Sequence, residues 1–374
     1  MKPKKPFPSG LLWPALAGYL LFFPTNPVPE VLWTPQWALP LSGAPLSGSF
    51  EGEIFAFAAA PRESPAGREG GIAGTVSSRG ELIYTEALDY RLASGPRGFV
   101  NYSAAGGTLL LRDLEGRPAG VLPGNGYPYL AGDWVLVISR DRRGLSRWTW
   151  EGEKLWDYQF SSLITALDVN AAPRSPGPPA EGGILAGLLN GEAVCLDSRG
   201  RVVFSETAPG QVVYGAALGK DLRVFALVLG LKPQRLRVYA FPESPGGGVR
   251  LLWEEALDRE YRTSRGLFFI RRDQELAVSD PAGAVIYGLK TRRGETLPLG
   301  YPLAEAVSPP QGQTLFFSRG EAGGELLFWD PQSGGNPRRL ALDSSGAPAA
   351  YDGDRLILSQ GGTLYSFSRR RKDL

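Results

Sequence analysis

Apolar and polar residues alternate with a period of two in short runs along most of this 374-residue chain. That is the period of a β-strand, whose successive side chains point to opposite faces. No stretch shows the wider spacing of a long amphipathic helix. The densest run is WTWEGEKLWDYQF, residues 148–160. Trp148 and Trp150 alternate with Arg147 and Thr149, and Trp156, Tyr158 and Phe160 alternate with Leu155, Asp157 and Gln159. Between them lies Glu151-Gly152-Glu153-Lys154, where glycine supplies the backbone conformation of a tight turn. The pattern predicts a β-hairpin with one heavily aromatic face. A lone hairpin is marginal in water. Burying one such aromatic is worth roughly 1.5–3 kcal/mol, so this face is expected to pack between neighbouring repeats.

The pattern recurs. TVSSRGELIYTE (75–86), LRDLEGRPAGVL (111–122), WTWEGEKLWDYQ (148–159), CLDSRGRVVFSE (195–206) and SDPAGAVIYGL (279–289) share a strand, a short glycine turn and a second strand. Looser copies occupy 239–257 and 328–342. The turn glycines are Gly80, Gly116, Gly152, Gly200, Gly248, Gly283 and Gly335, and their spacing averages about 42 residues. A four-stranded propeller blade takes roughly 40–45. Each hairpin is expected to supply the third and fourth strands, c and d. Apolar runs before the hairpins supply strand b: 53–60, 98–104, 133–140, 183–189, 222–230, 266–272 and 313–319. Small-residue segments such as ITALDVN (164–170), VVYGAALG (212–219) and APAAYDG (347–353) suit the crowded inner strand a. The last unit, built from 347–353, 354–360 and 362–369, lacks an outer strand, whereas EVLWTPQWA (30–38) reads as an outer strand without a blade. The expectation is an all-β, single eight-bladed propeller closed by this N-terminal strand, with seven blades as the alternative. Closure of this kind protects sheet edges. Segments 61–71, 171–183 and 241–248 read as exposed loops.

Composition supports many short strands joined by turns: 43% hydrophobic residues, 49 glycines and 32 prolines. The net charge of +2 gives no global argument for nucleic-acid binding. There is no histidine and one cysteine, Cys195. This excludes an internal disulfide and every histidine-based mechanism, and argues against zinc, copper or haem.

The N-terminus differs. MKPKKPFPSG is basic and LLWPALAGYLLFF (11–23) is apolar, the pattern of an export signal. Residues 1–29 are read as a cleaved signal or an inner-membrane anchor, 30–369 as the propeller and 370–374 as a basic tail. A buried apolar segment is the alternative for the N-terminus. The expected location is the periplasm.

The D-x-x-G-x-x-x-[WF] shape, clearest in CLDSRGRVVF and WEGEKLWDY, resembles the repeats of quinoprotein-like (PQQ-like) propellers over most of 30–369. No copy carries the full docking sequence A-x-D-x-x-T-G-K-x-x-W. WD repeats match less well, because their Gly-His mark is impossible here. The resemblance implies one of two branches. Quinone-binding dehydrogenases use a carboxylate base, Ca²⁺ and often a disulfide of adjacent cysteines. The non-enzymatic branch includes the propeller subunit of the outer-membrane β-barrel assembly machine, and this chain resembles it in size, N-terminal segment and blade type. It departs in lacking a lipid-attachment cysteine. The implied function is an exported scaffold for protein–protein interaction in the bacterial envelope, a monomer within a complex. The alternatives are a propeller enzyme and a small-ligand sensor.

Candidate chemistry is sparse. Asp141, Asp168, Asp197 and Asp280 are scattered among repeats and read as turn residues rather than calcium ligands. Cys195 reads as a buried, inert thiol. Glu254 and Glu255 point to opposite faces of a strand, and Glu151 and Glu153 flank an exposed turn. No catalytic, cofactor or metal site is expected. The b–c loops are richer in cations: Arg62 and Arg68; Arg140, Arg142 and Arg143; Lys232 and Arg235; Arg271 and Arg272; Arg319. The c–d loops are mixed, with Glu115, Glu151, Glu153, Arg199, Glu243 and Asp280. The expected partner site is therefore an electropositive b–c face, centred on Arg140, Arg142, Arg143, Arg271 and Arg272, that binds an acidic protein surface. Membrane association is expected only through the N-terminal segment.

Overall fold

A computed structural model describes residues 31–40, 45–51, 54–59, 71–103, 107–124, 126–171, 182–230, 232–242, 247–257, 265–309, 313–330, 337–343, 346–360 and 363–371. The expectations for the 1–29 segment, for Arg62 and Arg68, for Glu243 and for Gly335 lie outside the described residues. These residues form eight four-stranded antiparallel sheets. Strand β1 (Val31–Pro40) comes first in the chain. Blade 1 is β2 (Pro45–Glu51), β3 (Ile54–Ala59), β4 (Ile72–Ser77) and β5 (Leu82–Ala87). Blade 2 is β6 (Arg91–Gly95), β7 (Gly98–Tyr102), β8 (Thr108–Asp113) and β9 (Pro118–Pro123). Blade 3 is β10 (Gly126–Ala131), β11 (Trp134–Ser139), β12 (Gly144–Trp148) and β13 (Lys154–Gln159). Blade 4 is β14 (Ile164–Asn170), β15 (Gly183–Leu188), β16 (Glu192–Asp197) and β17 (Val202–Thr207). Blade 5 is β18 (Val213–Leu218), β19 (Val224–Leu229), β20 (Arg235–Ala240) and β21 (Arg250–Ala256). Blade 6 is β22 (Leu267–Ile270), β23 (Glu275–Asp280), β24 (Gly283–Gly288) and β25 (Gly294–Pro298). Blade 7 is β26 (Leu303–Val307), β27 (Thr314–Gly320), β28 (Gly323–Trp329) and β29 (Arg338–Leu342). Blade 8 is β30 (Ala347–Tyr351), β31 (Arg355–Gln360) and β32 (Thr363–Arg371), completed by β1.

The fold is an eight-bladed β-propeller closed as the sequence predicts. β1 runs antiparallel to β32, from Val31 opposite Arg371 to Pro40 opposite Thr363. Arg370 and Arg371, expected in the tail, therefore sit in a ladder. The closing strand also packs both ways. Trp33 lies 5.3 Å from the Phe328 ring of blade 7, and Trp37 joins Phe55, Phe57 and Val76 of blade 1.

The core is divided among the blade interfaces. Eight clusters of buried side chains fill eight junctions, one between each pair of neighbours. A four-stranded sheet cannot bury both its faces alone, so each blade depends on two others, as in other repeat architectures.

The aromatic hairpin departs from expectation in one respect: its aromatics do not share a face. A register shift between Arg147 and Trp148 sets Trp156 opposite Arg147 and Trp148 opposite Lys154. Such a bulge reverses which face later residues occupy. Trp148 and Trp150 pack against blade 2 with Leu111 and Leu122. Trp156, Tyr158 and Phe160 pack against blade 4 with Ile184 and Val194.

One docking contact is repeated between blades. The indole Nε1 of Trp156 donates to the Ser198 carbonyl at 2.9 Å, and the ring lies so close to Gly200 that a Cβ there would come within 2.7 Å of it. Trp37 repeats this on blade 1, with Nε1 donating to the Ser78 carbonyl at 2.7 Å and its ring against Gly80. Gly200 and Gly80 have φ of +76° and +85°, which turn and stacking both require. The Tyr84 ring also lies on Gly116, but its hydroxyl donates to Glu86 of its own strand at 2.8 Å.

Blade 6 corrects the strand assignment. The hairpin at Gly283 joins β23 to β24, strands b and c, and not c to d. Residues 266–272 accordingly supply the inner strand β22 and not strand b. Asp280-Pro281-Ala282-Gly283 imitates the other turns, whereas the true c–d turn, 289–293, uses Arg292 at φ +58° where other blades use glycine.

Candidate interaction faces and central channel

Antiparallel alternation fixes which loops share a face. The b–c turns and d–a connections emerge on one side of the ring; the a–b and c–d turns emerge on the other. Arg140, Arg142 and Arg143 form the b–c turn of blade 3 and are exposed. The turn is held rigidly from within. The Arg142 amide donates to the Ser139 carbonyl at 2.9 Å. Asp141 accepts from the Ser139 hydroxyl and, at 3.1 Å, from the Arg143 amide. These bonds lower the Asp141 pKa below the usual carboxylate range. The Phe160 and Ile164 amides donate to the carbonyls of Arg143 and Arg142 at 2.7 and 2.9 Å, tying the turn to the next connection. The Arg142 guanidinium stands 5.7 Å above the Tyr127 ring. Three cations are thus displayed on a fixed loop, and the intervening carboxylate is engaged locally.

Arg271 and Arg272 do not belong to this face. They lie in the a–b turn of blade 6, on the opposite side of the ring, because β22 is an inner strand. Arg271 is further bound to Glu275 at 2.6 Å. Asp280 moves the other way, onto the b–c face. Arg235 is ion-paired with Glu254, while Lys232 and Arg319 are exposed on the b–c side. Among the described residues, the positive charge of this face is therefore concentrated at 140–143.

The sequence reading missed a second group of cations. Lys290, Arg292 and Arg293 are exposed in the c–d turn of blade 6. The signal was the unbroken KTRR between two strands, hidden because the Gly283 hairpin was read as the c–d turn.

A cavity of about 620 Å³ opens along the channel between the inner strands of blades 3–7. Its charged wall residues are Asp168, Lys220 and Arg265. Asp168 accepts the Leu218 amide at 2.7 Å and the Val169 amide at 2.9 Å, yet burial still raises its carboxyl. Burial pushes the Tyr129 phenol up to about 12, with the Asp168 charge adding to it. Lys220 donates to the Ser308 carbonyl at 2.6 Å; burial lowers its pKa, against the pull of Asp273. Arg265 donates to the Ser279 carbonyl at 2.7 Å and to Gln234 at 3.2 Å. On inner strand β26, Glu305 is exposed by area, but the surrounding strands displace bulk water and raise its carboxyl. The charged groups on the cavity wall thus serve to join strands.

Asp197 is a turn residue, as expected. Its carboxylate accepts from the Arg199 and Arg201 amides at 2.9 Å each and from Arg201 Nε at 2.7 Å. Burial alone would raise its pKa, but these bonds bring it below the usual value. Cys195 is buried between blades 4 and 5, where burial pushes its thiol up to about 12. Glu254 holds Arg235 and Arg237. Among the described residues no three histidine, cysteine, aspartate or glutamate side chains gather as metal ligands.

A protein-family model described as a beta-propeller protein matches residues 14–319. The chain belongs to this β-propeller family. None of the curated proteins matches the sequence of this β-propeller protein. Among solved structures it is similar to BamB from Moraxella catarrhalis, with a TM-score of 0.59 and 14% identity over 90% of this chain and 100% of that one. It is also similar to the Dos1 propeller, with a TM-score of 0.64 and 12% identity over 90% and 95% of the two chains. Sqt1 from Saccharomyces cerevisiae gives a TM-score of 0.64 and 10% identity over 91% and 99%. At these identities the likeness is one of fold.

Proposed function

We propose that this β-propeller protein is an exported, non-enzymatic scaffold for protein–protein interaction in the bacterial envelope, and that the 140–143 turn of its b–c face receives an acidic partner surface. The observation that carries the reading is the exposed Arg140, Arg142 and Arg143 on a turn whose geometry is fixed by six hydrogen bonds within it and from the next connection. Functional groups on a propeller sit in loops positioned by a rigid ring. Preorganised charges steer a complementary partner and set specificity at little ordering cost. The basic and apolar N-terminus supports export, and the repeat's resemblance to the non-enzymatic quinoprotein-like branch supports a scaffold.

The test replaces Arg140, Arg142 and Arg143 together by serine in the native host. The variant is expected to keep the wild-type thermal transition and to lose at least about tenfold in partner recovery, the loss of exposed but clustered charge contacts. Undiminished recovery with a folded variant contradicts the reading.

A further inference from the structure

Four of the six non-glycine residues with left-handed φ among the described residues lie at one tip of the ring: Arg271, Arg272, Asp273 and Arg292 in blade 6. L-residues resist this conformation, and three in succession mark a turn held by its surroundings. The surroundings are visible. The Arg271 amide donates to the Ser308 hydroxyl at 3.0 Å, and Asp273 accepts the Asp221 amide at 2.9 Å. The a–b and c–d turns of blade 6 are then joined by the Leu289 amide, which donates to the Gln274 carbonyl at 3.0 Å. This brings Arg271 and Arg272 together with Lys290, Arg292 and Arg293. Two nearby carboxylates are turned away, Asp273 onto the Asp221 amide and Glu275 onto Arg271. Glu295 is exposed at the start of the outer strand. Lys290, Arg292 and Arg293 are exposed and make no ion pair among the described residues.

The same face receives the N-terminus of the ring. β1 enters at Val31, opposite Arg371, on the a–b/c–d side of blade 8, two blades round from this tip. The sequence before it holds the apolar run 11–23 and the basic MKPKKPFPSG. An apolar segment seated in lipid therefore turns this face, and not the 140–143 face, toward the bilayer. We propose that the blade 6 tip, Arg272 with Lys290, Arg292 and Arg293, docks on the anionic phospholipid surface of the membrane that holds the N-terminal segment. Membrane contact then extends to the propeller itself and orients the 140–143 turn away from the lipid. The inference rests on the N-terminal part of the functional reading, but not on the 140–143 partner.

Flotation of the full-length chain with vesicles tests it. Neutral phosphatidylcholine vesicles report the apolar run; vesicles with one-fifth phosphatidylglycerol add the charge of the basic N-terminus and of the tip, and the blade 6 variant separates the two. Each Lys or Arg near such a surface contributes roughly 1 kcal/mol, so removing three lowers partitioning by about a hundredfold. The expected result is an anionic preference, cut about a hundredfold by combined K290S, R292S and R293S and abolished at 0.5 M salt, where screening is short-ranged to about 4 Å. The serine variant of 140–143 is expected to keep it. Equal partitioning to both vesicle types, or a preference unmoved by the blade 6 variant, overturns the proposal. Retention on a soluble polyanion such as heparin that depends on Lys290, Arg292 and Arg293, without vesicle preference, also overturns it and assigns the tip to an acidic macromolecule.

Discussion

Trp156 and Gly200 act as one unit across a blade boundary, as do Trp37 and Gly80. Each pair joins an indole stacked on a turn to a hydrogen bond from its nitrogen. Trp156→Phe keeps most of the apolar contact and loses the donor, so it is expected to cost about 1 kcal/mol in urea unfolding. Gly200→Ala must move the ring and strain a left-handed turn, and is expected to cost more, about 1–3 kcal/mol. Equal stability of both variants with wild type contradicts the docking account. The repeated glycines and aromatics were legible in the sequence because they obey a fixed spacing. The bulge at Arg147/Trp148 was not, since nothing in the residue types announces a shifted register. Cys195 is a second residue-scale test. With its thiol pushed up to about 12, it is expected to resist alkylation at pH 8 in the folded protein and to react once urea unfolds it. Rapid labelling of the native chain contradicts the buried placement. Glu305 tests the channel. A carboxyl raised by folding binds its proton more tightly in the folded state, so its penalty is absent below its ordinary value and grows as pH rises through the raised one. Glu305→Gln is therefore expected to raise the melting temperature at pH 7 and to lose that advantage near pH 4. A variant less stable at pH 7 contradicts this.

At the scale of elements, closure depends on one strand from the far end of the chain. β1 supplies the only outer strand of blade 8 and contributes Trp33 and Trp37 to the junctions on either side. Deleting residues 31–40 leaves β32 with an open edge and two junctions with gaps. The expected outcome is a lower melting temperature and rapid amide exchange confined first to β30–β32, whereas an unchanged melt contradicts the closure. This strand could be read from sequence because its pattern matched an outer strand that had no blade. Blade 6 could not. Its b–c turn carries the glycine that c–d turns carry elsewhere, and its c–d turn replaces glycine with Arg292. Local turn chemistry reports a hairpin without reporting which strands it joins, and only the pairing β23–β24 resolves that. Arg271 and Arg272 changed face for this reason alone.

For the whole molecule, the two faces carry different groups of cations. One bears the 140–143 arginines on a hydrogen-bonded turn; the other bears the blade 6 tip and the ends of the closing ladder at Val31 and Arg371. An eight-part core without a dominant centre gives a stiff ring, which suits fixed presentation of separated surfaces. The fold was legible from periodicity, spacing and closure, whereas the faces required strand order, because side chains distant in sequence share a face only through the alternation of the blades. Because Arg371 lies on the side opposite the 140–143 turn, a C-terminal tag is expected to leave that turn free. The decisive measurement is affinity purification of the C-terminally tagged chain from detergent-solubilised envelope of its native organism, wild type beside the Arg140, Arg142 and Arg143 serine variant, with quantitative mass spectrometry. The account predicts an envelope protein recovered in near-stoichiometric amount with wild type and depleted at least about tenfold with the variant. Wild type recovered alone, or the same partner recovered equally with both, contradicts it.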